Sequence, residues 1–212
     1  MSPLYFTLAT FGASIVAGVA GSILGLGGGI IVIPVLTLLM HVDIRYAIGA
    51  SIVSVIATSS GAAAAYVREH LANMRVAMFL ELGTTAGAIT GAFLAGILSG
   101  RWLYIIFSVV LAYSAFAMFR KRHGEVGMNV PPDRLADRLR MHSEYFDEQA
   151  REVIPYRVTH TGIGLVLMYI AGVVSGLLGI GSGSLKVPVM DLARRLPIKV
   201  SSATSNFMIG VT

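Results

Sequence analysis

Long apolar runs alternate with short polar breaks along the chain. Runs long enough to cross a bilayer as helix, about 17 to 25 residues, fall near 4–40, 47–66, 76–98, 101–119 and 158–193, and another begins near 200. The region from Arg120 to Arg157 is different: it holds eight of the sixteen basic residues and seven of the eleven acidic ones, which makes it a solvated loop and not a span. Within it, "PPDRLADRLRMHSEYFDEQAREV" predicts a surface helix, with Asp133 as N-cap and Leu135, Leu139, Phe146, Ala150 and Val153 at roughly helical spacing. The N-terminus has no basic region before its apolar stretch, so the pattern predicts a first membrane segment and not a cleaved signal peptide.

The first and fifth runs are related. A gapless shift of 154 positions places Gly18, Gly25, Gly27, Gly29, Pro34, Ser51 and Thr58 on Gly172, Gly179, Gly181, Gly183, Pro188, Ser205 and Thr212, with 13 of the 42 columns from Ala17 to Thr58 identical. Such self-similarity predicts an all-α integral membrane protein built from two homologous multi-helix repeats, each with a glycine-broken first helix. The expected division is a first membrane repeat over 1–119, a cytoplasmic linker with an amphipathic helix over 120–157, and the start of a second repeat over 158–212. The first copy runs through two further spans after Thr58, so a second repeat ending at Thr212 reads as truncated.

Orientation follows from the basic residues. "RKRH" at 120–123 and the arginines after it place the 120–157 loop in the cytoplasm, which puts the 67–75 loop inside and the 41–46 loop outside. Where the first copy has "HVDIRY", the second has "RRLPIK", with Arg194, Arg195 and Lys199. That basic shift favours inverted topology over a parallel four-plus-four arrangement, and inversion requires each glycine-broken segment to be a re-entrant hairpin.

Composition narrows the function. With 55% hydrophobic and 13% charged residues and a mean hydropathy of +0.77, the chain has too little polar surface to cover a soluble globule. The net charge of +5 comes from residues scattered between apolar runs, which is no nucleic-acid footprint. Cysteine is absent, which excludes thiol chemistry. The histidines at 41, 70, 123, 142 and 160 sit in or beside loops without metal-ligand spacing, and no catalytic constellation points to an enzyme. "GLGGG" follows an apolar run of about twenty residues and not a short strand, so it is no dinucleotide loop.

The remaining chemistry lies in the breaks. An unpaired backbone at membrane depth is tolerated only inside protein or along a wet cavity. Glycines permit positive φ, and the half-helix after a break presents free N–H groups and the positive end of its dipole, which suits an anion. The candidate substrate cradles are Gly25, Gly27, Gly28 and Gly29 in the first copy and Gly179, Gly181 and Gly183 in the second, with Ser182 and Ser184 adding hydroxyls. Tight helix packing is the alternative for any membrane glycine, and it is the preferred reading for Gly83, Gly87 and Gly91.

Lys186, three residues after Gly183, would suit an anionic substrate, or else snorkel to the interface. Glu81 could carry a coupling proton, pair with a basic residue, or lie near the headgroups. Thr204, Ser205 and Asn206 offer further donors or helix caps. Asp191, with Arg194 and Arg195, reads as an interfacial ion pair.

"GSILGLGGGIIVIPVL", "SGLLGIGSGSLKVPVM" and "IKVSSATSNFMIGVT" resemble the TauE/SafE sulfite-exporter-like membrane transporters. The resemblance covers nearly all of the chain outside 120–157. It implies a multi-pass inner-membrane permease that needs no cofactor and moves small anions, often sulfur oxyanions or organosulfonates such as sulfite, coupled to protons. The family's glycine motifs fall on Gly25, Gly27, Gly28 and Gly29 and on Gly179, Gly181 and Gly183, and the pattern after the second motif falls on Lys186, Ser205 and Asn206. Ser182, where a glycine is common, and the long central loop depart from it. A different class stays open: a non-transporting membrane subunit that docks a soluble partner through the 120–157 loop.

Overall fold

The computed structural model describes residues 3–69, 71–120, 133–139, 141–147, 152–181, 183–194 and 198–211. Its helices are α1 (Pro3–Leu24), α2 (Gly29–Pro34), α3 (Ile44–Arg68), α4 (Met74–Ile97), α5 (Gly100–Arg120), α6 (Arg134–Arg138), α7 (Thr161–Leu178), α8 (Gly183–Arg194) and α9 (Ile198–Val211). Strands β1 (Ser143–Asp147) and β2 (Glu152–Tyr156) lie between α6 and α7. A π-helical turn, Val35–Leu39, extends α2 past Pro34. Among the described residues α1, α3, α4 and α7 are long and apolar enough to cross a bilayer.

α4 and α7 pack backbone against backbone. A Cβ added at Gly87 or Gly91 would overlap the carbonyl of Tyr169 or Val173, and one at Gly172 or Gly176 would overlap that of Thr84 or Ala88. Small residues four apart on both helices bring the two backbones together. The packing reading of Gly83, Gly87 and Gly91 is therefore the one the structure realises.

Two apolar clusters lie toward opposite ends of α4. At its N-terminal end Val76, Ala77 and Leu80 pack with Ala136, Met141, Tyr156, Met190 and Val200. The other cluster joins Ile33, Leu36 and Ile44 to Leu103, Phe107, Leu178 and Ile180, with Leu98, just past the end of α4, packed on it. There the Arg45 guanidinium donates to the Leu98 carbonyl at 3.1 Å. The turn between the π-helix and α3 thus sits at the C-terminal end of α4, whereas Met190 of α8 and Val200 of α9 sit at its N-terminal end.

The predicted surface helix after Asp133 is corrected. Asp133 does cap a helix, its carboxylate accepting from the Leu135 amide at 3.0 Å, but α6 ends at Arg138. Phe146 and Val153, read as one helical face, are cross-strand partners in an antiparallel hairpin, and Tyr145 pairs with Ile154. Aromatic and β-branched residues favour such pairs. Alternation also settles the face of β2: Ile154 and Tyr156 turn inward while Val153 and Pro155 stay exposed. Ala150 lies outside the described residues.

Asn73 joins this small module to the helices. Its side chain caps α4 by accepting from the Val76 amide at 3.1 Å, and donates to the Met141 carbonyl at 3.0 Å and the Tyr156 hydroxyl at 2.9 Å. Its own amide donates to Thr204 of α9 at 3.1 Å. Asn73, in the turn before α4, thus meets Met141 and Tyr156 of the α6 and hairpin module.

Candidate functional site: the crossed glycine loops

Both glycine motifs break a helix as expected. α1 stops at Leu24, and Gly25, Gly27 and Gly28 all take positive φ, from +71° to +82°. α7 stops at Leu178, and Gly179 and Gly181 take φ of +61° and +65°. In that left-handed region an L side chain is strained, which is why glycine stands there. Ser182 lies outside the described residues, as does the side chain of Ser184.

The two loops touch each other. A Cβ on Gly29 would lie 2.8 Å from the Ile180 carbonyl oxygen, and one on Gly183 would overlap the Gly25 carbonyl and lie 2.8 Å from the Leu26 Cα. Backbone meets backbone only because these positions carry no side chain.

α3 and α9 cross behind the loops and brace them reciprocally. The Ser51 hydroxyl on α3 donates to the Gly179 carbonyl at 2.9 Å, and the Ser205 hydroxyl on α9 donates to the Gly25 carbonyl at 2.9 Å. Val55 and Ile209 stand against both Gly27 and Gly181. Under the 154-residue shift, Ser51 matches Ser205, Gly25 matches Gly179, Gly27 matches Gly181 and Val55 matches Ile209.

The candidate donors fall into different roles. Ser205 holds the first loop, and the Asn206 side-chain nitrogen donates to the Ser22 carbonyl at 2.8 Å, leaving its Oδ1 buried with no hydrogen-bond partner among the described residues. Thr204 turns away to Asn73. All three are buried.

Lys186 and Glu81 come together. Lys186 is wholly buried on α8 and its Nζ lies 3.6 Å from Glu81 Oε2 on α4, where Glu81 is 9% exposed. Of the expected arrangements for Glu81, pairing with a basic residue is the one these distances describe. Two opposite charges withdrawn from water are expensive to bury, and a well-packed apolar pair of the same volume is often as stable or more so. Ionisable residues kept inside a membrane protein are candidates for a functional site.

Thr85, one turn along α4, donates its hydroxyl to Glu81 Oε1 at 3.2 Å and lines a cavity of roughly 280 Å³. The cavity is apolar for the most part, walled by Ile52, Ile56 and Ile89, and reaches Gly179 and Gly181. Sequence reasoning did not single out Thr85, Val55 or Asn73. Ser51 was visible as the match of Ser205, but only the fold shows what each holds.

A sequence profile for the sulfite exporter TauE/SafE family matches residues 10–212. The probable membrane transporter protein YunE of Bacillus subtilis is 28% identical over 203 residues, covering 92% of this chain and 71% of that protein. A probable membrane transporter protein of Xylella fastidiosa (strain 9a5c) is 26% identical over 204 residues, covering 96% of this chain and 69% of that protein. No solved structure matches the chain significantly.

Proposed function

This chain belongs to the sulfite exporter TauE/SafE family of membrane transporters, and from that premise we propose that it is a proton-coupled carrier of small anions, with sulfur oxyanions such as sulfite or organosulfonates as substrates. The substrate site in this reading is the crossing of the two glycine loops, with Gly25, Gly27, Gly28 and Gly29 opposite Gly179, Gly181, Ser182, Gly183 and Ser184. Lys186 supplies the cation, while Ser205 and Asn206 brace the cradle. The observation that carries it is the buried Lys186 ammonium on the half-helix leaving the second loop. Beside the start of α8, this ammonium offers a negative solute a charge partner in exchange for the Glu81 carboxylate.

The same reading has two inverted halves in the cell's inner membrane, with the 120–157 loop in the cytoplasm. Support comes from the two matched turns: the one before α3 lies at the C-terminal end of α4, and the helix ends flanking the one before α9 lie at the N-terminal end. A parallel arrangement would place both at the same end. The docking-subunit alternative is disfavoured because Ala136, Met141 and Tyr156 of the central module are spent on the membrane helices.

The test is flux of labelled sulfite and thiosulfate, with chloride as control, into proteoliposomes with and without a pH gradient. Gradient-driven uptake of at least one of the two sulfur oxyanions, in preference to chloride, is expected. No flux of any of the three, nor of an organosulfonate, by folded protein would overturn the reading.

A further inference from the structure

At 3.6 Å, the contact between Lys186 Nζ and Glu81 Oε2 is longer than an ordinary charge-assisted hydrogen bond yet within ion-pair range. The other carboxylate oxygen of Glu81 is held by the Thr85 hydroxyl, from the side of the cavity. A hydroxyl can donate to a carboxylate and can also accept from a carboxylic acid. Thr85 therefore offers Glu81 a partner in either protonation state, and Lys186 is needed only by the charged one.

We propose that Glu81 and Lys186 form an exchangeable ion pair: a monovalent anion takes the place of the Glu81 carboxylate beside the Lys186 ammonium as Glu81 takes up one proton. This rests on the anion-carrier reading and adds its stoichiometry and substrate charge. The empty pair carries one positive and one negative charge. The loaded site holds Lys186 positive, the anion negative and Glu81 neutral, so the sum is again zero. The proton comes from water and ends on the Glu81 carboxyl; no other bond is made or broken.

Every other loading leaves a net charge on the buried pair. An anion without a proton leaves the site negative, a proton without an anion leaves it positive, and a dianion with one proton leaves it negative. Uncompensated charge at low dielectric is strongly unfavourable. The pair thereby ties one proton to one anion and favours monovalent over divalent substrates.

Among the described side chains on the elements around the pair, Arg75 on α4, Tyr169 on α7 and Arg101, Tyr104 and Tyr113 on α5 are exposed, and the buried Tyr156 hydroxyl is engaged by Asn73; the side chains of Asp191, Arg194 and Lys199 lie outside the described residues.

Calorimetry on the purified protein with methanesulfonate, a monoanion across the neutral range, tests the proposal. Titrations in two buffers of different ionisation enthalpy count the protons taken up per anion, and repeating them over pH gives the slope of Kd. The expected result is one proton per methanesulfonate and a Kd that rises tenfold for each unit of pH, with sulfate bound at least tenfold more weakly. Glu81→Gln should bind methanesulfonate with a Kd independent of pH. Binding without proton uptake, the same pH slope in Glu81→Gln, or sulfate bound as tightly as methanesulfonate would overturn the exchange pair and leave the anion carrier standing. No binding of methanesulfonate, sulfite or sulfate by folded protein would overturn both. The proton count uses the unaltered protein, so it decides the matter even if the variant does not fold.

Discussion

Ser205 donates its hydroxyl to the carbonyl of Gly25, across nearly the whole length of the chain, at 2.9 Å. The matched pair, Ser51 and Gly179, repeats the bond at the same length. Each loop is held by a helix from the other end of the sequence, so neither can be positioned without the other.

Replacing either serine removes that hold. Ser205→Ala and Ser51→Ala should each lower stability by about 1–3 kcal/mol, the range for losing one partner of a buried hydrogen bond. Thermal unfolding in detergent measures this, and similar losses for the two variants are expected from their equivalent geometry.

The loops themselves tolerate no side chain. Gly181→Ala would combine a φ of +65° with a Cβ 2.7 Å from a Val55 methyl, and Gly27→Ala a φ of +78° with 2.9 Å to the same methyl. Both should cut anion flux at least tenfold while the protein still inserts. Val55→Ala in the same chain should restore part of it by removing the overlap but not the backbone strain, about 1–2 kcal/mol for a left-handed non-glycine residue. Flux assays of the single and double variants decide this.

Along α4, glycines should divide into two kinds. Gly87→Ala would drive a methyl into the Tyr169 carbonyl and separate α4 from α7, whereas a Cβ at Gly96 meets nothing within 4 Å. The first should destabilise by about 1–3 kcal/mol, as overpacking does. The second should stabilise by roughly 0.5–1 kcal/mol, because alanine has less backbone freedom to lose. Opposite shifts in unfolding temperature are the expected outcome.

Asn73→Ala should release the α6 and hairpin module. The side chain bonds Val76, Met141 and Tyr156 at once, so its loss leaves buried groups unpaired and should raise the open population about tenfold or more. Limited proteolysis within 133–158 reads this directly.

Acid should act on the same module. Partial burial pushes the Asp133 carboxyl up, but hydrogen bonds from Thr161, Leu135 and Ala136 outweigh it and hold it below the usual carboxylate range. A group depressed in the folded state stabilises fully above its unfolded value, near pH 4, and loses that contribution as pH falls through the folded one. Protection of the module should therefore be flat from neutrality to about pH 4 and decline below. Asp133→Asn should remove the acid-dependent step, as hydrogen exchange can show.

Much of this was legible in the order of residues. The spans, both helix breaks and the match between Gly25 and Gly179 follow from hydropathy and self-similarity, because a break inside an apolar run is conspicuous at any depth. The glycine spacing of α4 revealed a packing face but not that Gly172 and Gly176 of α7 meet it, since helix pairing is a property of three dimensions. The Glu81–Lys186 contact was hidden for the same reason: each charge could be placed on a span, but its neighbour could not. The hairpin was missed because Phe146 and Val153, seven residues apart, satisfy a helical face as well as a cross-strand pair. Only the alternation of Ile154 and Tyr156 decides between them.

One isopropyl group, that of Val55, forms a shared wall for two loops near opposite ends of the chain. Volume on that wall is a joint quantity. A larger residue at 55 takes room from Gly27 and Gly181 together, and Ile209, in contact with both from its own helix, must shrink to compensate. The loops are therefore not independent in inheritance any more than in shape: substitutions that suit one must be accepted by the other, and positions 55 and 209 will change, if at all, as a pair.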